Sequence, residues 1–139
     1  MNDILVPLSP GELLDKITIL RIKQARILDA AKLANVRLEL SLLERTWRES
    51  GAGACDTALD ERALQSVNER LWDIEDRIRE KEARQSFDRD FIELARSVYV
   101  ANDERAAIKK RLNLQLGSRI VEEKSYKQYR AEGAQSLKI

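Results

Sequence analysis

The sequence predicts an all-α protein: an elongated antiparallel bundle of three long helices with a short C-terminal helix. Three observations carry this. Only five Gly and two Pro punctuate 139 residues, so long uninterrupted elements are favoured. Apolar residues recur at three- and four-residue spacing over long stretches, the period of a helix face. Charged residues make up 35% of the chain, well above the usual quarter, as expected where helices expose long solvated faces. The length fits a single domain, 1–139.

Residues 1–8 read as an extended arm. Ser9, Pro10 and Glu12 then form a strong helix start, with Ser9 as cap, Pro10 in the first helical position and Glu12 placed for a capping box. The first helix is expected to run unbroken to Glu49, where Ser50, Gly51 and Gly53 stop it, a rod of roughly 60 Å at 1.5 Å per residue. Its apolar residues form two stripes on opposite sides. One holds Leu13, Ile17, Leu20, Ile27, Ala31, Ala34 and Leu38; the other holds Ile22, Leu33, Val36, Leu40, Leu43 and Trp47. One apolar face suffices for a surface helix. The second stripe implies a central place in the bundle or a second chain, and it is the expected self-association surface of a homodimer.

Asp60 is the expected cap of a second helix reaching Arg84, with Leu64, Val67, Leu71, Ile74 and Ile78 as its stripe. A break over Gln85–Asp88, with Phe87 tucked inward, separates it from a third helix over Arg89–Leu116. There the stripe is Phe91, Leu94, Val98, Ala101, Ile108 and Leu112, and Gly117 is the C-terminal stop. A short helix is expected around Ile120–Tyr129, and residues 130–139 read as a frayed tail.

The stretch Asn68–Glu82 is the densest in charge: ten of its fifteen residues are ionisable. Charge alternates along the chain. Six bases face one acid over Lys16–Arg37, twelve acids face seven bases over Asp56–Glu93, and eight bases face two acids over Arg105–Arg130. The acidic middle is therefore expected to pack against the basic flanks. A net charge of +1 argues against general nucleic-acid binding, which needs a strong basic field. The basic stripe Lys16, Lys23, Arg26 and Arg37 has no interleaved aromatic residue to stack a base. The run Ile4–Val6 is too short for a membrane span. One cysteine, Cys55, permits no internal disulfide and fits a reducing compartment, so the expected location is the cytoplasm.

With no histidine and one cysteine, Ser-His and Cys-His catalysis, His-containing metal sites and thiolate zinc clusters are excluded. Gly51–Cys55 follows a helix and lacks the Gly-Lys-Ser/Thr ending of a phosphate loop, so it reads as a connector. Carboxylates remain. Asp73 and Asp76 share a helix face, and Asp103 and Glu104 are placed to approach them, a set that could hold magnesium as in all-helical nucleotide pyrophosphohydrolases. The competing reading is ordinary helix-surface ion pairing, because Asp73–Arg77 and Glu75–Arg79 are acid-then-base pairs at four-residue spacing. No cofactor is expected on that reading.

Asn102 and Arg105 lie on or beside the third helix's apolar stripe, where a charge must be paired. Arg105 is expected to meet Glu75 or Asp76 of the second helix, with Asn68 joining a polar layer. Arg79, Arg105 and Lys109 form an alternative small-anion set. Trp72, Tyr99, Tyr126 and Tyr129 are of a type enriched at interfaces.

VPLSPGELLDKITIL, LWDIEDRIREKE, FIELARSVYVANDERAAIKKRLN and GSRIVEEKSY resemble the signature blocks of a family of small bacterial all-helical proteins of unknown function. The resemblance spans about Val6–Tyr129. It implies a helical protein without an assigned activity and supplies no catalytic residue. The expected role is a non-enzymatic interaction or scaffold module that self-associates. The alternatives are a magnesium-dependent nucleotide hydrolase and a small-anion binder.

Overall fold

The computed structural model describes residues 1–130. Among the described residues four α-helices, α1 (Pro10–Arg26), α2 (Ala30–Glu49), α3 (Ala58–Ala83) and α4 (Arg89–Gln115), form the fold, with a 3-10 turn at Gly51–Ala54. No strand occurs among the described residues. The arm, residues 1–8, carries no regular structure and leaves Ile4 and Leu5 more than 80% exposed.

The expected single first helix is two helices. Ser9 caps α1 as the sequence predicts, accepting from the Glu12 N–H. Ile27 then turns extended (φ −78°, ψ 131°), and Asp29 starts α2 by accepting from the Lys32 N–H at 2.9 Å. Asp29 is the one acid between Lys16 and Arg37, and capping is what it does there. The break lets α2 fold back on α1, where Leu13, Ile17 and Leu20 pack against Val36 and Leu40 in one buried cluster. Removing the cap by Asp29→Ala is expected to cost about 1 kcal/mol, read as a lower urea midpoint with an unchanged denaturant slope.

This hairpin accounts for the two opposing stripes. Ile22, Val36 and Leu40 are buried, and Leu33, Leu43 and Trp47 are half-buried, all inside one chain. The residues expected to meet a second copy are therefore covered by the same molecule. The continuation of the other stripe is what faces outward: Ala31 and Ala34 are exposed, and Leu38 is 62% exposed.

Helices α3 and α4 match their predicted bounds closely. Asp60 meets Arg111, Arg70 meets Glu104 and Lys81 meets Asp88, so the two helices run in opposite directions. Leu64 and Val67 of α3 pack with Ala101, Ile108 and Leu112 of α4 around Leu14 of α1. Two details differ from expectation. Thr57, not Asp60, occupies the cap of α3, and Asp60 is buried in its bond to Arg111. Phe87 is 53% exposed at the α3–α4 turn and meets the Phe91 ring edge-on at 5.2 Å. The chain reverses there through Gln85 at φ 53° and enters α4 at Asp88, whose carboxylate caps the Phe91 N–H. The Lys81 ammonium beside Asp88 and that N–H together hold its pKa down at about 2.

Helix α4 ends as expected at Gly117 (φ 67°), with the Ser118 N–H closing on the Asn113 carbonyl at 2.9 Å. The short helix expected at Ile120–Tyr129 is absent: from Ile120 to Tyr129 the chain has no regular structure. Most of the predicted tail, residues 131–139, lies outside the described residues. No helix among the described residues is long and apolar enough to cross a membrane.

Candidate functional site

Helix α1 lies across α3. Asp15 and Thr18 both reach Asn68, while Arg21 reaches back to Glu61 and Arg26 forward to Asp73. Arms from one stretch of α1 leave in opposite directions along α3, as they do when one helix crosses another. The N-terminal end of α1 meets α4 instead, and there the polar chemistry concentrates.

Arg105, Lys109 and Asn113 sit four residues apart on α4, on one face. Each meets α1. The Arg105 Nε donates to Asp15 Oδ1 at 2.9 Å and its Nη2 donates to Oδ2, a bidentate pair. Lys109 Nζ lies 2.6 Å from Glu12 and 3.6 Å from Glu122. Asn113 accepts the Gly11 N–H at 2.7 Å. Asn68 completes the layer from α3, donating to Asp15 Oδ1 at 2.9 Å and to the Thr18 hydroxyl oxygen at 3.0 Å.

Asp15 is fully buried. Burial alone would raise its pKa, but the hydrogen bonds from Arg105 and Asn68, with the fields of Arg105 and Lys109, outweigh it and hold the carboxyl below its ordinary value. The same Asp15 carboxylate raises the Arg105 pKa. Among the described residues no buried side-chain nitrogen or oxygen lacks a partner. The layer is a satisfied network and stays charged at neutral pH.

The sequence places Arg105 and Asn68 in a polar layer, and both are there. The expected partners are not. Glu75 and Asp76 are exposed on the far end of α3, where Glu75 pairs with Arg79 one turn on. Arg79 is thus remote from Arg105 and Lys109, and the three do not form one anion site. The residue missed was Asp15. Its signal lay in its neighbours: it stands among Leu13, Leu14 and Ile17 with no base three or four residues away.

The four acids of the magnesium alternative do not converge. Asp73 is taken by Arg26 and Glu104 by Arg70, while Asp76 is exposed and Asp103 lies beside the Tyr129 hydroxyl. Among the described residues no group of three or more His, Cys, Asp or Glu side chains could hold a metal ion.

Beyond the polar layer, α4 and the segment 124–129 enclose a cleft of about 650 Å³. Arg105 and Lys109 line it from α4, and Lys124 and Lys127 line it from the facing segment. Tyr99, Tyr126 and Tyr129 line it too, with Tyr99 and Tyr129 in contact at 4.8 Å between ring centres. Asn102, which is exposed, opens onto this cleft and takes no part in the buried layer.

A family model described as a family of unknown function (DUF6165) matches residues 4–137. No curated protein and no solved structure matches the chain.

Proposed function

We propose that this chain, which belongs to the family of unknown function DUF6165, is a non-enzymatic interaction module that self-associates through the outer face of α2. One observation carries the reading. Leu38 and Leu42, one turn apart, are 62% and 43% exposed, and Ala31 and Ala34 extend their line toward the helix start. The opposite face of the same helix is already buried against α1. A helix apolar on both sides has one side left to cover.

The state of the carboxylates supports the non-enzymatic part. Asp15, Asp60, Asp73 and Glu104 are each held by an arginine. Acids that hold a metal ion converge on one point, and among the described residues no such group does. Addition of magnesium is accordingly expected to leave the melting temperature unchanged, with no hydrolysis of nucleoside triphosphates.

The test is sedimentation equilibrium. The chain is expected to be dimeric at tens of micromolar, roughly the range in which weak self-association is seen. Leu38→Glu with Leu42→Glu is expected to give a monomer with an unchanged helical circular dichroism signal. A wild-type chain that stays monomeric at high concentration overturns the reading.

A further inference from the structure

The cleft beside α4 has a composition that the self-association reading does not use. We propose that it binds a single nucleotide-sized anion, a phosphate-bearing molecule with a planar ring. The phosphate is placed on Lys124 and Lys127, and the ring on the face of Tyr126.

Size comes first. About 650 Å³ lies within the range of small-molecule sites, roughly 300–1,000 Å³. Charge comes next. Arg105, Lys109, Lys124 and Lys127 line the cleft against one acid, Asp103. Glu12, Asp15 and Glu122 neutralise three of these cations, yet none of the three acids lines the cleft. They stand behind the cations and fix their positions. Lys127 is exposed, and no acid pairs with it among the described residues. A cationic ligand would meet Lys127 without a counter-charge, and a wholly apolar one would leave the cations of the lining unused.

The aromatic residues then decide between an inorganic and an organic anion. Free phosphate would need only the lysines. Tyr126 is 76% exposed, with the Lys124 ammonium 5.9 Å from its ring centre. A stacking surface therefore lies next to a phosphate-binding group. Basic side chains interleaved with exposed aromatic rings are the pattern that holds a nucleotide by its backbone charge and its base together. The α1 stripe of bases has only the half-buried Trp72 ring, which Arg26 already covers at 5.7 Å, whereas this cleft has three tyrosines.

The inference goes beyond self-association, and the two fail separately, because Leu38 and Leu42 lie on α2 and the cleft is built by α4. Calorimetry with the full chain tests it, using adenosine 5′-monophosphate, adenosine, inorganic phosphate and a single-stranded hexanucleotide as probes. The monophosphate is expected to bind, with adenosine and phosphate each about tenfold weaker or worse, since stacking and charge both contribute. Lys127→Gln is expected to weaken the monophosphate about fivefold and leave adenosine unaffected, as removal of one phosphate contact should. Tyr126→Ala should weaken both. Neither side chain is buried, so both variants fold. No binding of the monophosphate at millimolar concentration, or binding that neither substitution changes, overturns the proposal. Equal affinity for phosphate alone overturns the ring contact. Tighter binding of the hexanucleotide than of the monophosphate overturns the assignment to a free nucleotide.

Discussion

Replacing Arg105 with methionine is expected to destabilise the protein by about 3 kcal/mol, the lower end of the cost of breaking a buried ion pair. The lower end applies because 29% of the Arg105 side chain meets solvent, whereas only 1% of the Asp15 side chain does. The loss comes less from the missing attraction than from what remains: a carboxylate with no counter-charge inside the fold. Asn68 would still donate to it, and Lys109 would still act at a distance. Neither replaces a bidentate guanidinium. Urea unfolding at pH 7 measures the effect, and an unchanged midpoint would show that the layer is not structural.

The pH dependence gives the same experiment a second readout. The folded pKa of Asp15 lies below its ordinary value of 3.8. Its ionised form therefore stabilises the wild type above that value, and the contribution fades as pH falls through the folded pKa. In Arg105→Met the balance reverses. Burial, the largest influence on Asp15, pushes its pKa up and is no longer offset by the guanidinium. Protonation then relieves the variant, so the gap between the two proteins should narrow as pH drops toward 4. Adding Asp15→Asn to the variant removes the stranded charge and should restore most of the lost stability, the non-additivity expected of residues in contact.

Gly11→Ala is expected to cost about 1–2 kcal/mol even though alanine is the better helix former. A Cβ at this position would lie 2.6 Å from the Lys109 carbonyl oxygen and 2.8 Å from Asn113 Oδ1. The first of these is backbone inside α4 and cannot step aside. The end of α1 would have to lift, stretching the Gly11–Asn113 hydrogen bond and pulling Glu12 from Lys109. Gly51→Ala is the control: its Cβ would meet nothing within 4 Å, so its midpoint should hold or rise slightly. Equal behaviour of the two variants in thermal unfolding would refute a tight α1–α4 contact.

The helical fold is legible in the chain because α3 and α4 bury one stripe each, and periodicity reports burial directly. Leu64, Val67, Leu94, Ala101, Ile108 and Leu112, all named from spacing, are all buried. Periodicity reports no break, however, when the phase of the pattern continues across it. Ile27–Leu28–Asp29 contains neither Gly nor Pro, and the stripe Leu20, Ile27, Ala31 runs straight through. Only a capping acid marks the turn. The polar layer was half legible for a related reason. Asn68 and Arg105 are visible as residues out of place on an apolar face, whereas the identity of a partner depends on which helix crosses which. Glu75 and Asp76 lay on the expected neighbour, but each already had a base three or four residues away. Asp15 had none. The cleft was not legible, since one of its walls is an irregular segment where a short helix was expected.

The crossing of α1 over the α3–α4 pair sets an order of events. Asp15 and Arg105 are separated by 90 positions, Gly11 and Asn113 by 102. The α3–α4 turn, by contrast, brings Lys81 and Asp88 together across 7. Contacts so distant along the chain are closed late, after local pairs have formed. On a ribosome the imbalance is sharper, because α1 emerges well before α4 exists. Leu13 and Ile17 can pack on Val36 and Leu40 once α2 has emerged, but Asp15 must wait for its arginine until the far helix is made. The side of α1 that faces α4 is thus the last to be covered, and it stays exposed until Arg105 arrives.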